Sequence, residues 1–138
     1  MPPNLEFQFS YAGLPIIFVR VFSPDSNGSA ITEALIDTGA DVSIFDTRVA
    51  EDLGIALDGR RTISLRGING DEVQSPMTEV ELQLLGEPDL SVRSLVAFLP
   101  DILDTVGNLI GRDVLEYLDF GLEHSLRIGY LGRTESPP

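Results

Sequence analysis

Ala34-Leu35-Ile36-Asp37-Thr38-Gly39-Ala40-Asp41 decides how this chain is read. Three apolar residues bring a carboxylate to the end of a buried strand, and a small, flexible Thr-Gly-Ala turn follows at once. Such a placement suits an acid that must be reachable yet partly dehydrated. Gly39 lets the backbone come close enough to offer its amide to the Asp37 carboxylate. The bare tripeptide Asp-Thr-Gly fits a plain turn equally well, with Asp bonding its own backbone two residues on. The decision therefore rests on what flanks it.

Toward the N-terminus, Ser23-Pro24-Asp25-Ser26-Asn27-Gly28-Ser29 supplies turn chemistry between the apolar segments Pro15 to Phe22 and Ile31 to Ile36. The two segments predict a hairpin that leads into Asp37. Further back, Leu5, Phe7, Phe9 and Tyr11 alternate with Glu6, Gln8 and Ser10, which predicts a first strand with one buried face. Toward the C-terminus a short helix starts at Asp46. Its side chain can accept from the first free amides, Val49 and Leu53 recur at i, i+4, and Gly54 suits the stop. Arg61 to Ile68 and Glu72 to Leu85 read as strands joined by a two-residue Asn69-Gly70 turn. Gly86-Glu87-Pro88-Asp89 interrupts, and Leu90 to Phe98 resumes the strand pattern. A second helix is expected after Gly111, with Val114, Leu115 and Leu118 on one face, and Phe120 to Tyr130 reads as a closing hairpin around His124-Ser125. With no internal repeat, this is one mostly β domain over residues 1–130 with one or two short helices, followed by a disordered tail at 131–138.

Two further stretches carry chemistry. Asn108-Leu109-Ile110-Gly111-Arg112-Asp113 precedes the second helix, and Arg66-Gly67-Ile68-Asn69-Gly70-Asp71-Glu72 is a glycine-rich hairpin tip. With residues 34–41, this chain resembles the retropepsin family, the retroviral-type aspartic proteases. That signature is an apolar run followed by Asp-Thr-Gly-Ala and an acidic residue, with an apolar pair, Gly and Arg near the C-terminus. The resemblance spans residues 15–130. It implies a closed β-barrel acting as a homodimer, with Asp37 as the catalytic carboxylate and Thr38, Gly39 and Ala40 forming the active-site loop. It further implies that Arg112 pairs with Asp41 and braces that loop, that Thr38 reaches across to the partner's loop, and that Gly67, Ile68, Asn69 and Gly70 form a flap over bound peptide. The plainer alternatives are a strand-capping Gly111 beside a solvated Arg112, and an ordinary surface turn at Asn69-Gly70. The chain departs from many retroviral members at Val42, where they carry a second acidic residue. Its segments before Phe7 and after Tyr130 match nothing in the family.

Aspartic protease chemistry needs two carboxylates sharing one proton, one to take a proton from water and one to donate toward the scissile carbonyl. The chain holds one Asp-Thr-Gly. Asp119-Phe120-Gly121 is spaced like a second copy, but Phe120 lacks the hydroxyl and Glu116-Tyr117-Leu118 before it is helical in pattern. One copy per chain implies a twofold dimer that places Asp37 beside its symmetry mate and hydrolyses extended polypeptides. Ile68, Val42 and residues near Leu109 are the expected pocket residues. The other reading of the same fold is a catalytically silent peptide-binding or dimerisation module.

Composition narrows the field. A chain of 138 residues with no cysteine suits one domain held by packing, without disulfides or thiolate zinc sites. The net charge of −13 repels nucleic acid, and all nine basic residues are scattered arginines. His124, the single histidine, falls in a turn pattern with no triad spacing, and the acidic pairs Asp71-Glu72 and Asp101/Asp104 read as solvated charge. No metal or other cofactor is expected. Met1-Pro2-Pro3-Asn4 lacks a secretory n-region, and the most apolar run, Leu14 to Phe22, is short and broken by Arg20. A cytoplasmic protein with no membrane partner is the expectation.

Overall fold

The computed structural model describes residues 7–66, 70–85 and 87–133, with backbone only at 87–89 and 133. Strand β1 (Phe7–Ser10) is followed by the predicted hairpin of β2 (Ile16–Phe22) and β3 (Ser29–Ile36), in antiparallel register from Phe22↔Ser29 to Ile16↔Leu35. In β2 the β-branched Ile17, Val19 and Val21 point inward at every second position. Gly28 in the connecting turn is required by packing: a Cβ there would sit 2.1 Å from the Leu53 carbonyl oxygen.

Next come β4 (Ile44–Asp46), helix α1 (Thr47–Leu53), β5 (Thr62–Arg66), β6 (Glu72–Leu84), β7 (Glu87–Leu99) and β8 (Asn108–Ile110). The sheet runs β2-β3-β8-β4-β7-β6-β5, and β6 pairs back onto β2, closing a six-stranded barrel with β5 as an appended hairpin arm. Closure removes the free edges of an open sheet. Val21, Phe45, Val80, Val96 and Phe98 are wholly buried at its centre. Helix α1 is built as its sequence predicts. Asp46 accepts from the Arg48 amide at 2.9 Å, Gly54 adopts φ 71°, and Val49, Ala50 and Leu53 face the core.

A second, three-stranded sheet of order β1-β10-β9 is formed with β9 (Leu118–Glu123) and β10 (Ile128–Arg133). Phe9 packs over Gly129, where a Cβ would lie 2.1 Å from its ring, and Leu131 is buried. Strand β10 therefore carries the fold to Arg133, past the expected limit at residue 130. Leu5 and residues 134–138 lie outside the described residues.

Three local expectations differ from the structure, and two elements were not expected. Pro88 does not interrupt, since β7 starts at Glu87 and its first residue pairs with Leu84 beside an irregularity at Gln83/Leu84. The register Arg66↔Glu72 is one residue off the Arg66 to Val73 pairing that a two-residue Asn69-Gly70 turn would set, and Gly70 holds φ 85°. Helix α2 (Arg112–Leu115) is a single turn, and Leu118 already pairs with Arg133 in β9 instead of extending the helix face. Finally, β4 and a 3₁₀ turn at Ile102–Asp104 had no signal of their own in the sequence.

Candidate active site

Asp37 follows the last residue of β3 and is fixed on both sides. The Ile36 amide donates to the Pro15 carbonyl and the Asp37 amide to the Ile110 carbonyl, each at 2.9 Å. Strands β3 and β8 run parallel there, with Leu35↔Leu109 and Ile36↔Ile110, so the two sequence motifs end side by side. The Asp37 carboxylate is half-buried, and Oδ1 accepts the Gly39 amide at 2.9 Å. The Ala40 amide closes the turn on the Asp37 carbonyl at 3.2 Å. One carboxylate oxygen is thus occupied by the loop's own backbone, and the other accepts no hydrogen bond within the described chain. Thr38 is exposed, and its hydroxyl has no partner within the described chain.

The second motif lies directly against this loop. Gly111 touches it so closely that a Cβ would meet the Ala40 carbonyl oxygen at 2.7 Å and Val42 at 3.0 Å, so no larger residue fits. The Arg112 amide donates to the Ala40 carbonyl at 2.8 Å. The Arg112 guanidinium is ion-paired with Asp41, but these side chains are 56% and 78% exposed. A pair so exposed contributes ~0–1 kcal/mol. The stronger brace is one the sequence reading missed. Ser43 is fully buried and donates its hydroxyl to Asp113 Oδ1 at 2.6 Å and its amide to Oδ2 at 2.9 Å, while its Oγ accepts the Gly111 amide at 2.9 Å. The Val114 amide also reaches Asp113, at 2.9 Å. The stretch 108–113 gives no local sign that Asp113 bonds Ser43. The signal available was a hydroxyl residue, Ser43, set in an apolar run.

Beside this base lies an open groove of about 720 Å³, lined by Ile44, Leu65, Val73, Ile102, Val106 and Leu109 among others. Leu109 therefore falls where a pocket residue was expected. Val42 does not line it and presents its backbone to Gly111 instead, and Ile68 lies outside the described residues. The arm of β5 and β6 contributes Leu65, Arg66 and Val73 to the groove, and Arg66 and Glu72 pair at 3.0 Å near its tip. Of the expected flap residues Gly67, Ile68, Asn69 and Gly70, only Gly70 is described, and it is exposed.

Asp119 and Gly121 sit within β9, paired with Gly132 and Tyr130, so Asp119-Phe120-Gly121 is a strand and not a second loop. His124 is exposed, as a turn residue should be, but its Nδ1 lies 3.0 Å from the Tyr11 hydroxyl and the rings stack at 5.9 Å. Asp104 is not simply solvated, since it pairs with Arg48 at 3.2 Å. Among the described residues no group of three or more His, Asp or Glu is placed to hold a metal ion, and no helix is long and apolar enough to cross a membrane.

A mostly β closed barrel with an Asp-Thr-Gly loop braced by a Gly-Arg-Asp segment has the architecture of a retropepsin. Comparison with known proteins agrees. Residues 23–114 match the aspartyl protease family, and the chain belongs to it. The EIAV protease in complex with an inhibitor superposes with a TM-score of 0.51 at 25% identity, over 84% of this chain and 92% of that one. A retropepsin-like aspartic protease from Rickettsia conorii superposes with a TM-score of 0.58 at 18% identity, over 93% and 98% of the two chains. The second likeness speaks for the fold alone. No curated protein is matched by the sequence.

Proposed function

We propose that the chain is an aspartic endopeptidase whose active site forms between two identical subunits, each contributing Asp37. The observation that carries this reading is an Asp37 carboxylate whose hydrogen-bond partner within the described chain is the Gly39 amide alone, in a chain with one Asp-Thr-Gly loop. The second carboxylate the chemistry requires has to come from another copy. The unpartnered Thr38 hydroxyl supports the same arrangement, since a twofold axis at this loop would give it the partner's loop to bond. Asp41 and Arg112 then support the loop from its outer side, and Gly67 to Gly70 act as the flap.

In the dimer the ionised carboxylate takes a proton from a water held between the two aspartates, and the water oxygen attacks the scissile carbonyl carbon. The protonated carboxyl donates its proton to the carbonyl oxygen, giving a tetrahedral gem-diol. Collapse breaks the C–N bond as the aspartate that took the water proton donates it to the amine nitrogen and the other aspartate takes the proton of one gem-diol hydroxyl, leaving an acid and an amine and the dyad with its single shared proton. Like-charge repulsion keeps both from ionising together, so the rate profile is bell-shaped in pH and belongs to the pair. An extended polypeptide fits the apolar groove with its side chains and the β5–β6 arm with its backbone.

Cleavage of a mixed peptide library across pH, with wild type, Asp37→Asn and a statine-type inhibitor, tests this. Cleavage that is lost in the variant and blocked by the inhibitor is expected. Thr38→Val should dissociate the dimer or abolish activity. A well-folded dimer that binds the inhibitor yet cleaves nothing at any pH would assign the fold to a silent peptide-binding module.

A further inference from the structure

The outer wall of the groove is the segment 100–107, whose internal bonds, among them the Asp104 amide to the Asp101 carbonyl at 3.2 Å, close the turn on itself without tying it to the barrel. Asp101 holds φ 63°, a left-handed conformation unfavourable to a residue with a Cβ, and Gly107 holds φ 83°. Three internal bonds, from the Thr105 amide and hydroxyl and the Gly107 amide, converge on the single carbonyl of Ile102. Ile102, Thr105 and Val106 nonetheless line the groove, so something must keep them in place.

Asp46 does so from the far side. Its side chain is buried, and Oδ1 accepts the Arg48 amide at 2.9 Å, which is all that capping helix α1 requires. Its second oxygen accepts the Leu103 amide and the Arg48 guanidinium, both at 3.0 Å. The same guanidinium nitrogen reaches Asp104 at 3.2 Å. A Ser, Thr or Asn would cap the helix without burying a charge, so the carboxylate is explained by the turn it holds and not by the cap. The Asp46 amide in turn donates to the buried Asn108 side chain at 2.8 Å, next to Leu109 on the groove floor. Wall and floor are thus referenced to one residue.

We infer that Asp46, seconded by Arg48, is a positioning residue that holds residues 102–106 as the groove wall and so sets the affinity for an extended polypeptide. The ligand class rests on the proposed protease function, whereas the tether does not. In Asp46→Asn the cap survives, because the amide oxygen still accepts the Arg48 amide. The amide nitrogen, a donor, then faces the Leu103 N–H and the guanidinium.

Hydrogen exchange and kinetics of the full-length protein test the assignment together. Asp46→Asn is expected to speed exchange of the Leu103 amide by about tenfold or more, as loss of a charge-assisted bond implies, while the Asp37 amide on Ile110 is unchanged. KM for a cleaved peptide should rise about tenfold with kcat within about twofold, the pattern of lost uniform binding. Arg48→Gln and Asp104→Asn, which leave the cap intact, should shift both readouts the same way by about threefold, and they serve if Asp46→Asn does not fold. Unchanged Leu103 exchange overturns the tether, and faster exchange with unaltered KM overturns its role in binding. If wild type cleaves nothing, the protease reading fails separately. The positioning role is then decided by Leu103 exchange and by the Kd for a statine-type peptide, where equal values for wild type and variants overturn it.

Discussion

The floor and the wall of the groove are held in opposite ways. At the floor, strand β8 carries Leu109 into the groove, and the Asp37 loop beside it, which does not line the groove, is locked by backbone amides and by a neutral hydroxyl, Ser43, buried between Gly111 and Asp113. At the wall, the turn after Leu99 rests on charged side chains, Asp46, Arg48 and Asp104, of which Arg48 is half exposed. Backbone and buried neutral bonds leave a loop little freedom, which is what the role proposed for Asp37 would require of its geometry. Charge-assisted bonds from a long, partly solvated side chain yield more readily, which suits a surface that adapts to different side chains. The lesson is that the precision of the site resides in residues without formal charge at neutral pH, with Asp113 the exception that anchors them.

The sharpest way to break this contrast is Gly111→Ala. The added methyl would meet the Ala40 carbonyl oxygen at 2.7 Å, and both partners are backbone that cannot swing aside. A destabilisation of about 3 kcal/mol, with the Asp37 loop displaced, is expected from overpacking and read by chemical denaturation. Ser43→Ala should follow at about 2 kcal/mol, because it strips the Gly111 amide and Asp113 of a buried partner. A smaller loss in Ser43→Ala than in any wall variant would reverse the assignment of rigidity to the floor.

The wall predicts a pH signature of its own. The Arg48 guanidinium hydrogen-bonded to Asp46 is the largest cause holding its carboxyl from the ordinary 3.8 down to about 2, against the opposing effect of burial. A group with a depressed folded-state pKa stabilises fully above its unfolded value and loses that contribution as pH falls through the folded one. The window is therefore pH 4 down to 2. With Arg48 half exposed the contribution is discounted for solvent to about 1–2 kcal/mol. The difference in unfolding free energy between wild type and Asp46→Asn should shrink across that window. Taking a difference cancels the general relief of repulsion as a chain of net charge −13 is protonated. A constant difference from pH 6 to 2 would show that the Asp46 charge is not what holds the wall.

The same division explains what the sequence made legible. The hairpin into Asp37 follows from short-range patterns, the apolar segments 15–22 and 31–36 and the turn residues at 23–29, whereas the closed barrel came with the family resemblance carried by the motifs at 34–41 and 108–113. Asp46 was legible as a cap because helix starts are local. Its second oxygen was not, since Leu103 lies 57 residues on and nothing near Leu103 signals a 3₁₀ turn. Ser43 and Asp113 meet across 70 residues, and nothing local to either announces a partner so far along the chain. Strand β4 is three residues long and owes its existence to neighbours β7 and β8 instead of to any periodicity. Long-range polar pairs and very short strands are decided by tertiary context, where local propensity carries no information.

The smallest expected effect is the most discriminating. Arg112→Met removes the ion pair with Asp41 but keeps the Arg112 amide on Ala40, the Gly111 contact and the Ser43 to Asp113 bonds. In the single chain both charges are largely solvated, so the monomer should lose less than about 1 kcal/mol. If a second subunit covers this surface, the pair is desolvated there, and removing one partner leaves Asp41 buried and unpaired at a cost of several kcal/mol. Arg112→Met should therefore leave the unfolding free energy of dilute monomer nearly untouched while weakening dimerisation at least tenfold, measured by sedimentation across a concentration series. Equal small effects on both would mean that the pair stays wet in the dimer and that Gly111, Ser43 and Asp113 alone fix the loop. A large effect on the monomer would mean that the exposed pair outweighs the buried bonds, and the contrast between floor and wall would not stand.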